Sequence, residues 1–163
     1  SSKSKKLEIH DLSSPTQEFL RTNTGINELD RVLGGGIVKG SAVLIGGDPG
    51  IGKSTLLLQA CASLTANSSD CLYITGEESI EQVKLRAQRL GLSGDTKIAT
   101  ATLLTSILNA IDIPNAPELV IIDSIQTMYH DQLDSVPGTV TQVRACAFEL
   151  IRVAKKRGIS IIF

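Results

Sequence analysis

The chain has 163 residues, 42% of them apolar and 20% charged, which is enough for one domain with its own core and too little for two. A formal net charge of −1 gives no electrostatic footprint for nucleic acid or an anionic membrane, and 3% aromatics leave the core to Leu, Ile, Val and Ala. Cys61, Cys71 and Cys146 are scattered without zinc spacing or a disulfide framework, no apolar run approaches the roughly 18 residues of a membrane span, and no signal-peptide segment opens the chain, so a cytoplasmic, reducing setting is the default.

Residues 1–20 mix Ser, Lys and Pro without helical periodicity and read as a linker or partly ordered arm; His10 within it has no companion ligand and reads as solvated. The domain is expected over 21–163. INELDRVL reads as a short helix closed by Gly34, Gly35 and Gly36, a helix stop followed by a turn being simpler than a nucleotide contact by three glycines. Gly40 then turns the chain into an apolar strand, AVLIG, that feeds GDPGIGKS at 47–54. The spacing Gly47-x-x-x-x-Gly52-Lys53-Ser54 is that of a phosphate-binding loop. A polyphosphate must be wrapped by backbone N–H groups, which φ-permissive residues such as Gly47, Gly50 and Gly52 aim inward without a Cβ clash. Asp48 and Pro49 shape the turn, Lys53 offers a point charge to the β and γ phosphates, and Ser54 offers a hydroxyl to Mg2+ at the positive end of a helix. Gly47, Asp48, Pro49, Gly50, Ile51, Gly52, Lys53, Ser54 and Thr55 are therefore the expected nucleotide-binding residues, with Lys53 also counted as catalytic.

A helix over 53–64 and a polar loop at 67–70 lead to a buried strand, CLYIT at 71–75, followed by GEES. Ser79 or a neighbour caps a helix over 80–90 whose Ile80, Val83, Ala87 and Leu90 face inward, with Lys84, Arg86 and Arg89 solvated on its other faces. Residues 97–100 read as a strand, Leu104, Ile107, Leu108 and Ile111 as an amphipathic helix, and PNAPE breaks the chain before LVIID at 119–123. Residues 128–139 form a loop longer than usual. A helix over about 140–157 turns Val143, Ala147, Leu150 and Ala154 inward, ends in Lys155, Lys156 and Arg157 as its dipole favours, and stops at Gly158 before a fifth strand, ISIIF. Strands alternating with helices predict an α/β fold, mainly a parallel sheet with helices on both faces.

In such a sheet every strand opens its C-terminal end on one edge. That edge gathers the phosphate loop, Asp123 and GEES. Asp123 is placed to hold a water of the Mg2+ shell opposite Ser54. Hydrolysis also needs a carboxylate to orient the attacking water and take its proton, and Glu77 and Glu78 are the candidates, Glu78 being the one more simply read as an acid at a helix N-terminus. Ser124 could bond the Mg2+ water shell or the base, or serve only a turn.

TGINELDRVLGGG, LIGGDPGIGKSTLLLQ, YITGEES, LVIIDSIQT and PGTVTQVR resemble, in order and spacing, the ATPase domain of the bacterial RadA (Sms) DNA repair family of the RecA superfamily. The resemblance spans 21–163 and implies a RecA-like P-loop NTPase core, with Lys53 and Ser54 as Walker A residues, Asp123 as the Walker B acid and Glu77 as the catalytic glutamate. It implies Mg2+ as cofactor and ATP as substrate, and places strand 159–163 between the Walker A and Walker B strands. The loop at 128–139 matches the family's first DNA-facing loop, making Tyr129, His130, Gly138 and the following Arg144 candidate DNA-facing residues. The family implies a bacterial, cytoplasmic, ATP-driven hexameric ring that works with a RecA-type recombinase, extending branch migration on single-stranded DNA and recombination intermediates. The family's N-terminal four-cysteine zinc motif, its KNRFG motif and its Lon-protease-like domain do not occur in the sequence, which reads as an excised fragment truncated at its C-terminus. Such a fragment is expected to bind nucleotide and hydrolyse it poorly, because trans-acting basic groups worth roughly 10^3 to 10^5 in rate lie outside it. Two other readings stand beside this one: a RecA-like module of KaiC type using ATP for assembly and signalling with protein partners, and a small-molecule kinase.

Overall fold

The computed structural model describes residues 6–16, 20–45, 52–67, 69–92 and 94–163. Gly47, Asp48, Pro49, Gly50 and Ile51 lie outside the described residues.

Five strands form one parallel sheet: β3 (Ala42–Val43), β4 (Cys71–Thr75), β5 (Lys97–Thr100), β6 (Leu119–Asp123) and β7 (Ser160–Ile162), in the order β3-β7-β6-β4-β5. Side chains alternate across a strand, so each strand serves two cores. Leu119 and Ile121 of β6 join Cys71, Tyr73 and Ile162 on one face, whereas Val120 and Ile122 join Ile74 and Ile161 on the other. The continuous apolar run of LVIID follows from that double burial. The first face is covered by α1 (Asn27–Val32), α2 (Lys53–Ala66) and α3 (Ile80–Arg89), and the second by α4 (Leu104–Ile111) and α5 (Val140–Arg157).

Helix boundaries follow local chemistry. Ser79 and Gln82 close a reciprocal capping box at the start of α3. Thr139 Oγ1 accepts the Gln142 N–H at the start of α5, and Gly158, in the left-handed region at φ 67°, ends it. The inward face of α5 is Cys146, Leu150, Val153 and Ala154, with Val143 and Ala147 partly buried beside them. Lys156 and Arg157 do more than answer the helix dipole, since both pair with Asp112 just past α4.

An antiparallel pair not expected from the sequence, β1 (Arg21–Thr22) with β2 (Ile37–Val38), flanks α1. Two-residue strands carry no periodicity. The glycine run after α1 is needed for this pairing as well as for the helix stop: Gly36 has φ 134°, and a Cβ there would stand 2.6 Å from the Thr22 carbonyl oxygen. The strand leading to the phosphate loop is also shorter than its apolar run; Ile45 adds one backbone bond, to the Phe163 carbonyl at 2.9 Å.

Candidate active site at the C-terminal edge of the sheet

Parallel pairing opposes Thr75 to Asp123 at the ends of β4 and β6, and carries the Gly76–Ser79 turn and Asp123 to one edge. At the same edge α2 begins with Lys53, just after Gly52, and its second residue is Ser54. The Ser54 hydroxyl donates to Asp123 Oδ2. Tyr73 donates its hydroxyl to the same oxygen at 2.8 Å. Burial, and then the neighbouring Asp123 carboxylate, push the Tyr73 phenol well above its ordinary value, so it stays a proton donor. The Asp123–Ser124 peptide is cis, and the Ser124 carbonyl accepts the Thr127 N–H and hydroxyl, opening a 3-10 turn over Ile125–Thr127.

The turn after β4 is shaped by Thr75, whose buried hydroxyl accepts the backbone N–H groups of Glu77 at 3.3 Å and Glu78 at 3.1 Å. Gly76 lies so close to the 3-10 turn that a Cβ on it would meet Thr127 Oγ1 at 2.0 Å. Glu77 is exposed at this edge, whereas Glu78 is half-buried and receives Arg86 Nη1 at 2.8 and 3.0 Å. The expectation that Arg86 is solvated is thus corrected: its side chain folds under the turn and also donates from Nη2 to the Tyr73 hydroxyl at 3.3 Å. Helical spacing could not reveal this, because an arginine beside a buried stripe looks the same whether it points outward or along the sheet edge. A cavity of about 250 Å³ opens beside the turn, lined by Thr75, Gly76, Glu78, Thr100, Ala101 and Thr102.

The long loop is anchored at both ends. Tyr129 N–H donates to the Thr102 carbonyl, and its carbonyl accepts the Leu104 N–H, both at 2.9 Å. The buried amide of Gln142, which the sequence reading did not single out, accepts the His130 N–H at 2.7 Å and donates to the Ser135 and His130 carbonyls at 2.8 and 3.3 Å. His130 is half-buried, while Gly138 and Arg144 are exposed.

The residues that meet here fit a divalent cation of the hard class. A hydroxyl and a carboxylate adjoin at the end of the phosphate-loop helix, and a Mg2+ site built on one or two protein oxygens with substrate phosphate and water needs no more. Among the described residues no cluster of three or more His, Cys, Asp or Glu side chains offers a cage made by protein alone.

With β7 inserted between the strand that leads to Lys53 and the strand that ends in Asp123, the sheet is that of a RecA-like P-loop ATPase core. The chain belongs to the KaiC ATPase family, whose model, described as "ATPase: KaiC", matches residues 22–103. It is 55% identical over 159 residues to the DNA repair protein RadA of Rickettsia felis, covering 96% of this chain and 36% of that protein. It is also 53% identical to RadA of Bacillus subtilis, over 91% of this chain and 32% of that protein, and 48% identical to RadA of Brucella abortus, over 98% and 35%. The chain therefore spans about a third of the length of these curated relatives. No helix among the described residues is long and apolar enough to cross a membrane.

Proposed function

We propose that residues 21–163 form the ATP-hydrolysing motor core of a DNA repair and recombination protein that acts on single-stranded DNA and branched intermediates. The observation that carries the reading is the convergence of Ser54 and Asp123 at the head of the phosphate-loop helix, with the Glu77 turn on the same edge. In this reading Gly47 to Thr55 wrap the polyphosphate, Lys53 neutralises its outer phosphates, and Ser54 and Asp123 hold Mg2+. Held there by Ser54 and Asp123, Mg2+ would supply positive charge against the charge that develops on the transferred phosphate. Glu77 orients the attacking water and takes its proton. Its neighbour Glu78 is already committed to Arg86, which supports giving the base role to Glu77.

The DNA repair role rests on the likeness to the RadA proteins and on the loop at 128–139, whose Tyr129, His130 and Gly138, with Arg144 on α5, are the candidate DNA-facing residues. That loop holds Asp131 and Asp134 and no Lys or Arg, so backbone N–H groups and Arg144 are left to meet a strand. A ring of identical subunits and a RecA-type recombinase as partner complete the proposal. The match to the KaiC ATPase model supports a second reading, ATP-driven assembly with protein partners. Steady-state ATP hydrolysis by the full-length protein with and without single-stranded DNA separates them. A rate that rises with DNA supports the motor; a rate indifferent to DNA transfers the assignment to the second reading.

A further inference from the structure

Tyr73 lies at 0% exposure among Leu57, Leu58, Cys61, Val83 and Ile121, a setting that a phenylalanine would fill as well. Its hydroxyl is therefore not there for burial. It points diagonally across the sheet, from a residue opposite Ile121 to the carboxylate two positions further along β6. There it shares Asp123 Oδ2 with Ser54. Arg86 closes the other end of the chain of contacts, with Nη2 on the Tyr73 oxygen and Nη1 on both oxygens of Glu78. Its side chain is 18% exposed, and among the described residues its buried Nε has no hydrogen-bond partner. A guanidinium is drawn from water only where fixed partners hold it, and here those partners are the outer support of Asp123 and the residue next to Glu77.

We propose that Tyr73 and Arg86 are positioning residues that tie the metal-binding carboxylate to the turn bearing the catalytic base: Tyr73 fixes Asp123 for Mg2+, and Arg86 locks Tyr73 to Glu78. The inference rests on the Mg2+ reading of Ser54 and Asp123 given above. Ser54 is the donor that a metal would share, which leaves Tyr73 as the donor whose bond to Oδ2 is not in competition. Through Glu78, whose bidentate pairing holds it inward, Arg86 also fixes the direction of its exposed neighbour Glu77. Partners in the outer shell of a metal ligand are worth roughly tenfold to a hundredfold in metal affinity.

The test measures equilibrium ATP binding by the full-length protein as a function of Mg2+, repeated with Mn2+, for the native protein, Tyr73→Phe, Arg86→Gln and the double variant, alongside thermal unfolding and kcat. Tyr73→Phe is expected to raise the Mg2+ midpoint about tenfold while ATP binding in EDTA stays native and unfolding remains cooperative. Arg86→Gln is expected to raise the Mg2+ midpoint and also to lower kcat. In the Tyr73→Phe background it should add nothing to the metal shift yet still lower kcat. A native Mg2+ midpoint in Tyr73→Phe, or fully additive metal shifts in the double variant, overturns the proposal. Should Arg86→Gln fail to fold, the Tyr73→Phe midpoint decides alone. If native ATP binding does not depend on Mg2+, the metal reading of Ser54 and Asp123 falls and takes this one with it; if it does depend on Mg2+ and the variants match it, only the positioning role falls.

Discussion

Replacing Gln142 by Met tests how the long loop is held. Methionine fills nearly the volume of glutamine, so the substitution removes three hydrogen bonds without opening a cavity, and the freed groups are the His130 N–H and the carbonyls of His130 and Ser135. At about 1 kcal/mol net for each bond, the loss is about 3 kcal/mol, equivalent to roughly a hundredfold in an opening equilibrium. It should fall on the loop first, because Tyr129 remains bonded to Thr102 and Leu104 on the far side. Hydrogen exchange read at the His130 amide should accelerate by roughly that hundredfold. Global stability read by denaturant should fall by at most the same amount, about 3 kcal/mol, since the three bonds are absent from the unfolded chain. Native exchange at His130 together with a native midpoint would refute the claim that Gln142 holds the loop. If the loop faces DNA as proposed, the same variant should lose DNA stimulation of hydrolysis before it loses ATP binding.

Other outcomes follow from particular contacts. Gly76→Ala drives a Cβ into Thr127, at 2.0 Å from Oγ1 and 2.8 Å from Thr127 Cβ; the strain should cost about 1–3 kcal/mol by chemical denaturation and slow hydrolysis, with partial recovery when Thr127→Ala is added. Arg157, and after it Lys156, hold the Asp112 carboxyl below its ordinary value. A carboxyl whose native value is depressed contributes stability that is fully present above its unfolded value of about 4 and is lost as pH falls through the native one. The stability difference between the native protein and Asp112→Asn should accordingly be constant near neutrality and shrink in acid below about pH 4, a profile that denaturant titrations at stepped pH would show or exclude.

The parallel sheet was legible because doubly buried strands write themselves as unbroken apolar runs: LVIID and CLYIT need no tertiary information to be found. Their shared edge followed from parallel topology, which is why Ser54 and Asp123, 69 residues apart, could be expected to face one another. What escaped detection depends on contacts between segments. The β1–β2 pair is two residues long on each side and exists because Gly36 admits the Thr22 carbonyl. Arg86 carries the pattern of a solvated helix residue, and only the proximity of Tyr73 and Glu78 turns it inward. Gln142 sits at a helical position where a polar residue ordinarily meets water; its burial is imposed by the loop folding back over the first turn of α5. Gly76 reads as an ordinary turn glycine, and the neighbour that forbids a side chain there, Thr127, comes from another strand's end.

Hydrolysis of ATP at this edge with Glu77 as the base is proposed above, and it is open to direct test. The most direct measurement is turnover by the full-length protein and its Glu77→Gln variant, with ATP affinity determined on both. A rate at least about a hundredfold lower is expected in the variant at native affinity, since a positioned base contributes roughly 10^2 to 10^4. Native turnover in Glu77→Gln would contradict it and would turn attention to Glu78, whose pairing with Arg86 would then have to open during the cycle.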